Sequence, residues 1–257
     1  MKRISASKTV FVKINNIGKN HLPDVEDLKD RVIKYVDIVP MSSIPYDASA
    51  VGFQSMDAIL TLADKIGNAY PYKDIPANRF NPSANLGARP EIGRCISLPN
   101  SYIDIQDPAD VGKVAVFVFF YDMPGFSSVD RSVNVLVDSI ETPIRTIDQR
   151  NLMPDLRALA GKKYRNFSFS APQKTLTGAT GVTTAEARNC YVSLYKGNYA
   201  VLDLLPLPEL YDVYYLEQLT FNNIIFDLNN SFVVVGGNNN YVGKSVYLNV
   251  AYEEVKQ

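Results

Sequence analysis

The sequence predicts an all-β protein made of two similar sandwich-like domains in tandem, with only short helices in the loops. An ordered internal repeat, a period of two in most readable segments, and few helix signals carry this expectation. The repeat pairs Leu98-Pro-Asn-Ser-Tyr-Ile-Asp-Ile105 with Leu228-Asn-Asn-Ser-Phe-Val-Val-Val235, offset by 130. It continues with Val111-Gly-Lys-Val-Ala-Val-Phe-Val-Phe-Phe-Tyr-Asp122 against Val242-Gly-Lys-Ser-Val-Tyr-Leu-Asn-Val-Ala-Tyr-Glu-Glu254, offset by 131. Near the start of each half, Thr9–Ile17 aligns with Ser132–Ile140 at 123, and a weaker pair sets Lys34–Pro40 against Asn166–Pro172. Each repeat covers about half of the 257 residues, far more than a solenoid unit. The expected domains are therefore residues 1–125 and 126–257, separated near Met123-Pro-Gly-Phe-Ser-Ser-Val129.

Taken along the chain, Thr9–Ile14, Val32–Ile38, Ser132–Val137 and Arg165–Ser170 alternate, with β-branched and aromatic residues on one face. Val114–Tyr121 and Ser245–Tyr252 read as longer strands closing each half. Turn-rich segments, Gln106–Asp110 and Gly236–Asn240, precede the two Val-Gly-Lys tripeptides at equivalent places. A helix is expected over Met56–Ile66: Met56, Ile59, Leu60, Ala63 and Ile66 share a helical face, with Ser55 as cap and Gly67 as stop. Pro154–Ala160, followed by Gly161, is a shorter candidate. Ala69–Pro90 reads as one large loop, and Thr175–Ala187 as an insertion. Pro206 and Pro208 exclude a regular helix or central strand there.

Composition sets further bounds. The net charge of −1 gives no general drive toward nucleic acid or anionic membrane. The one local bias is the acid-free start bearing Lys2, Arg3 and Lys8. No run of about 20 apolar residues exists to span a bilayer, and the first residues lack the apolar core of a signal peptide. Cys95 and Cys190, one per half, read as buried free thiols of a chain folded in a reducing cytoplasm.

Catalytic options are few. His21 is the single histidine, in a loop-like context, so metal centres and Ser-His-Asp or Cys-His schemes have almost no material. Asp104 and Asp203 sit in apolar runs but read as solvent-facing strand positions. Gly178-Ala-Thr-Gly181 lacks the lysine and strand of a phosphate loop, and the Val-Gly-Lys tripeptides read as turn glycines at strand starts. Trp is absent, which weakens a sugar-stacking platform; the cluster Tyr211-Asp-Val-Tyr-Tyr215 reads as core or interface. The residues thus suggest no catalytic, cofactor-binding or metal-ligating group and no small-molecule substrate.

These features together, the paired strand starts, the paired ends and the basic N-terminus, resemble the double jelly-roll major capsid proteins of tailless icosahedral viruses, the lineage that includes adenovirus. The resemblance spans the chain and is one of architecture. It implies two jelly-roll sandwiches and a homotrimeric, pseudo-hexagonal capsomer contacting neighbouring capsomers and other virion proteins such as a vertex protein. It also implies synthesis in a host cytoplasm, residence in the virion, and an inward-pointing arm with Lys2, Arg3 and Lys8 against internal membrane or genome. A two-domain jelly-roll hydrolase, a tandem carbohydrate-binding module, and a minor capsid or spike component are the alternatives.

Overall fold

The computed structural model describes residues 6–65, 69–81, 92–121, 135–154, 159, 161–171, 179–210, 220–237 and 239–253. The chain divides into two compact units. The N-terminal unit comprises Ser7–Ile44 and Ser49–Asp122; the C-terminal unit comprises Met123–Gln257 with Met1–Ala6 and Pro45–Ala48. The expected linker, Met123–Val129, lies outside the described residues, as do most of Pro154–Ala160 and all of Tyr211–Tyr215.

The first half of the chain forms β1 (Ala6–Lys13), β2 (Gly18–His21), β3 (Val32–Val39), β4 (Ser43–Ile44), β5 (Asp47–Val51), β6 (Ala58–Asp64), β7 (Tyr72–Pro76), β8 (Arg94–Ile105) and β9 (Val114–Tyr121), all in the N-terminal unit apart from Ala6 of β1 and Asp47–Ala48 of β5. The C-terminal unit contains β10 (Val135–Pro143), β11 (Asn151–Leu152), β12 (Lys163–Ser170), β13 (Thr180–Gly181), β14 (Cys190–Lys196), β15 (Tyr199–Pro206), β16 (Thr220–Ile225), β17 (Asp227–Val235) and β18 (Lys244–Glu253). The helical turns among the described residues are short 3₁₀ pieces, such as Pro108–Asp110 and Glu186–Asn189, so the protein is all-β.

Both units follow one pairing scheme. In the C-terminal unit the strands run β10-β18-β12-β16 in one sheet and β11-β17-β14-β15 in the other. In the N-terminal unit β9 lies between β1 and β3, while β8 lies between β2 and β6, with β7 beyond. The first residues of β8 turn back to β3, through Val32↔Cys95 and Ile33↔Arg94, and so do the work that β16 does in the other unit. Even the irregularities recur. The β3–β9 ladder slips between Ile33 and Tyr35, and the β12–β18 ladder between Tyr164 and Asn166.

Registers fix the repeat better than letters do. Val36 faces Phe119 as Phe167 faces Val250, an offset of 131, so the weak pair Lys34/Asn166 was one residue out. Ile14 exchanges main-chain bonds with Gly112 and Lys113, as Ile144 does with Gly243 and Lys244, an offset of 130. Thr9–Ile17 therefore corresponds to a segment beginning near Ser139, and the apparent match with Ser132–Ile140 is displaced. Thr142, fully buried where the first unit has Val12, disguised the true partner.

The helix expected over Met56–Ile66 is strand β6 for most of its length. Met56 has φ +56°, which a right-handed helix start cannot accept, and Ser55, the expected cap, donates instead to Asp110. Leu60 and Leu62 are fully buried, and β6 is held on both edges, by β8 and β7. A strand apolar on both sides mimics helical spacing over so short a run. Ala69–Pro90 is likewise not one loop: it holds β7 and the 3₁₀ turn Ala77–Phe80, and residues 82–90 lie outside the described set.

The C-terminal core centres on Tyr164, Phe167 and Phe226, with ring centroids 5.3–5.7 Å apart, and Tyr164 Oη donates to Leu159 O at 2.7 Å. Burial, then the nearby Tyr252 and Asp138, pushes the Tyr164 phenol well up. In the N-terminal unit Ile38, Phe117, Phe119, Leu60 and Ile103 are fully buried. β9 is buried on both faces from Ala115 to Tyr121, whereas in β18 only Val246, Leu248 and Val250 of the alternating set are buried.

Candidate functional site

The repeat concentrates its polar chemistry at one corner of each unit. In the loop after β1, the Asn20 side chain accepts from the Asn15 and Asn16 amides (2.8 and 3.3 Å) and donates to Asn16 O and Gly18 O (2.8 and 2.9 Å). Asn151 does the same after β10, accepting from the Arg145 and Thr146 amides and donating to Thr146 O and Gln149 O. A nearly buried amide with a donor and an acceptor end can satisfy both strands of a tight loop, which a carboxylate or aliphatic residue cannot.

Against this bracket lie the Val-Gly-Lys turns. Gly112 and Gly243 have φ +92° and +88°, a region costly for other residues. Lys113 Nζ reaches Asp110 Oδ1 at 2.7 Å, and Ser55 Oγ donates to Asp110 Oδ2 at 2.5 Å. The Asp110 side chain is 1% exposed and that of Lys113 31%, so this is a largely desolvated pair. Lys244 instead pairs with Glu186, which also accepts from the Thr183 amide and whose own amide bonds Thr183 Oγ1. Burial would raise the Glu186 carboxyl, but the hydrogen bonds from Lys244 and Thr183 outweigh it and hold the group below its ordinary range. Reading the tripeptides as turn glycines captured the glycine and missed the lysines. The signal was there: Asp110 stands three residues before Lys113.

A second duplicated feature sets a cation over an aromatic ring at equivalent strand positions. Lys19 Nζ stands 4.5 Å from the Tyr102 ring centroid, and the Arg150 guanidinium 4.6 Å from that of Phe232. Registers make these the same place: His21↔Tyr102 corresponds to Leu152↔Phe232. His21, at the end of β2, is exposed; its ring meets the Tyr102 edge at 5.7 Å, and Nδ1 lies 3.0 Å from Pro99 O.

The other candidates are dispersed. Lys2 and Arg3 lie outside the described residues. Lys8 does not precede the first strand: it sits within β1, with Nζ 2.7 Å from Asp27 Oδ2, so it is not part of a free arm. Asp104 is half-buried and accepts from Gln106 at 2.9 Å, while Asp203 is half-buried in β15 of the other unit. Cys190 is fully buried, which pushes its thiol strongly up, and Cys95 is half-buried; both are free. Among the described residues no three His, Cys, Asp or Glu gather at metal-binding distance. A shallow cleft of about 170 Å³ in the N-terminal unit, lined by Asp24, Leu28, Lys29, Lys65 and Leu98, falls below the ~300 Å³ of ordinary ligand pockets.

No protein-family model, curated protein or solved structure matches the chain.

Proposed function

We propose that the chain is a virion shell protein of the double jelly-roll kind, acting by self-assembly into trimeric, pseudo-hexagonal capsomers. The strand pairing carries the reading. Take the main strands of a unit as first to eighth, counting the start of β8 as the sixth of the N-terminal unit. The first then pairs with the eighth, the second with the seventh, the third with the sixth and the fourth with the fifth. The eighth also lies beside the third and the seventh beside the fourth. This pairing supports the reading, because a long four-rung hairpin rolled up on itself, the two-Greek-key arrangement of capsid and lectin domains, would pair its strands in this way. Its duplication within one chain gives three copies a near six-fold outline, suited to hexagonal tiling. The duplicated polar groups support the same reading, because they fasten loops to strands in both units.

Neighbouring capsomers and other virion proteins are the partners in this reading, and Lys2 and Arg3 remain the inward-facing charges, without Lys8. Expression of the full chain, followed by light scattering and negative-stain microscopy, tests it. Trimers and hexagonal arrays are expected; a chain that stays monomeric at tens of micromolar and forms no arrays refutes it, and a sugar-binding or hydrolytic monomer would replace it.

A further inference from the structure

One turn of the C-terminal unit carries an aspartate where the repeat has glycine. Entering β2, Gly18 takes φ +89° opposite Ile105. In the C-terminal unit the counterpart of Ile105 is Val235, whose carbonyl accepts from the Asp148 amide at 2.8 Å, and Asp148 takes φ +54°. A non-glycine residue is strained there, and strain of this kind points to a use for the side chain. Asp148 Oδ1 accepts from the Tyr46 amide at 3.2 Å. Tyr46 is itself left-handed, at φ +64°, and its hydroxyl is hydrogen-bonded to Arg150, near Tyr195 and Asp203. Pro45, just before it, is buried. Residues Pro45–Ala48 belong to the C-terminal unit, although the chain up to Ile44 and again from Ser49 belongs to the other. They comprise the turn after β4 and the start of β5, and these two strands form a separate two-stranded sheet. A lone hairpin of that size is marginal in water, so the side chains that fasten its turn decide its state.

We propose that Pro45–Ala48 is a latch of the C-terminal unit and that Asp148 is its catch, a positioning residue that holds the turn closed. The duplication shows what the catch adds. Gly18 serves its turn with backbone alone, whereas Asp148 serves the same turn and also reaches out of it to a second segment. The latch opens locally, by breaking the Tyr46 amide bond to Asp148 and the hydroxyl bond to Arg150, while the ladder of β11, β17, β14 and β15 stays paired. Opening relieves the left-handed strain at Tyr46, which keeps the closed state only moderately favoured and the device reversible. It also releases the Arg150 guanidinium from Tyr46 while leaving it 4.6 Å from the Phe232 ring centroid, so the open state presents a freed cation and a freed tyrosine. The inference goes beyond the shell-protein reading and does not depend on assembly.

The test uses the full chain and two substitutions at one position. Asp148→Gly installs the residue that the first unit carries there, so the turn is kept and circular dichroism should be unaltered. Chymotryptic cleavage after Tyr46, located by mass spectrometry, should quicken about tenfold, with a matching rise in amide exchange over residues 45–48. Tenfold corresponds to the loss of a hydrogen bond of ~1.4 kcal/mol. Asp148→Asn keeps an oxygen acceptor and tolerates the left-handed region, so both readouts should stay within about threefold of wild type. Unchanged cleavage and exchange in Asp148→Gly would make Asp148 a turn residue only and overturn the latch. Equal lability of Asp148→Asn, or an increase spread over residues 135–253, overturns it as well. None of these outcomes bears on the shell reading, which is tested by trimers and arrays.

Discussion

Replacing Lys113 by methionine removes the only ammonium within hydrogen-bond reach of Asp110 among the contacts described above, while keeping most of the stem's packing. The Asp110 side chain is 1% exposed, so water cannot freely replace the lost partner, and Ser55 alone then holds the carboxylate. Breaking a buried pair from one side costs about 3–5 kcal/mol. Lys113 is 31% exposed, which lets solvent partly refill its place, so the working value is about 2–4 kcal/mol. Asp110→Asn removes the charge from the other side; the amide oxygen still accepts from Ser55 and the freed ammonium rehydrates, at about 1–2 kcal/mol. The double variant should then cost little more than Asp110→Asn alone, giving a coupling of roughly 1–3 kcal/mol. Urea denaturation of the full chain, followed by far-ultraviolet circular dichroism, reads these differences in the transition of the N-terminal unit. Equal costs for Lys113→Met and Asp110→Asn, or additivity in the double variant, would show that the pair is solvated and refute the reasoning.

The corresponding cycle at Glu186 has a pH signature. Burial opposes ionisation there, but Lys244 and Thr183 hold the carboxyl below the ordinary value of 4.5. The stabilisation is therefore present above that value and lost as pH falls through the lower folded-state value; Glu186→Gln should be less stable than wild type at pH 7 and converge with it in acid, as read by thermal melts across pH. Asn20→Ala and Asn151→Ala each strip a loop of several hydrogen bonds and should each cost about 1–3 kcal/mol in urea denaturation. The two sites belong to different units, so their costs should add within about 0.5 kcal/mol. Gly52→Ala would drive a methyl group into the main-chain carbonyl of Met41, so that backbone must shift; a loss of about 3 kcal/mol, or failure to recover soluble chain, is expected in urea denaturation.

The duplication itself was legible because β8 and β17, and β9 and β18, keep similar apolar letters in similar order. Those strands lie at the centre of their sheets, where residues must satisfy neighbours on both edges. The first strand of the second unit was not legible in the same way. β10 buries Thr142 where β1 buries Val12, and a run just upstream, Ser132–Val137, offered a better apolar match. Alternation recurs every two residues and cannot choose among registers; main-chain bonds from Ile14 and Ile144 to the Val-Gly-Lys turns do.

By itself the sequence determined an all-β chain with two like halves, the glycine turns before β9 and β18, and a scarcity of histidine chemistry. Those properties reside in local alternation, in backbone conformations reserved to glycine, and in residue counts. Only the tertiary structure decided that Ala58–Asp64 is a strand, because its apolar spacing suits a helix and a doubly flanked strand equally, and partners on both edges settled it. Only the tertiary structure joined Asp110 to Ser55, Glu186 to Lys244, and Lys19 to Tyr102. The last two unite residues more than 50 positions apart, and Ser55 lies equally far from Asp110; such contacts exist only once long-range strand pairing has fixed which faces meet.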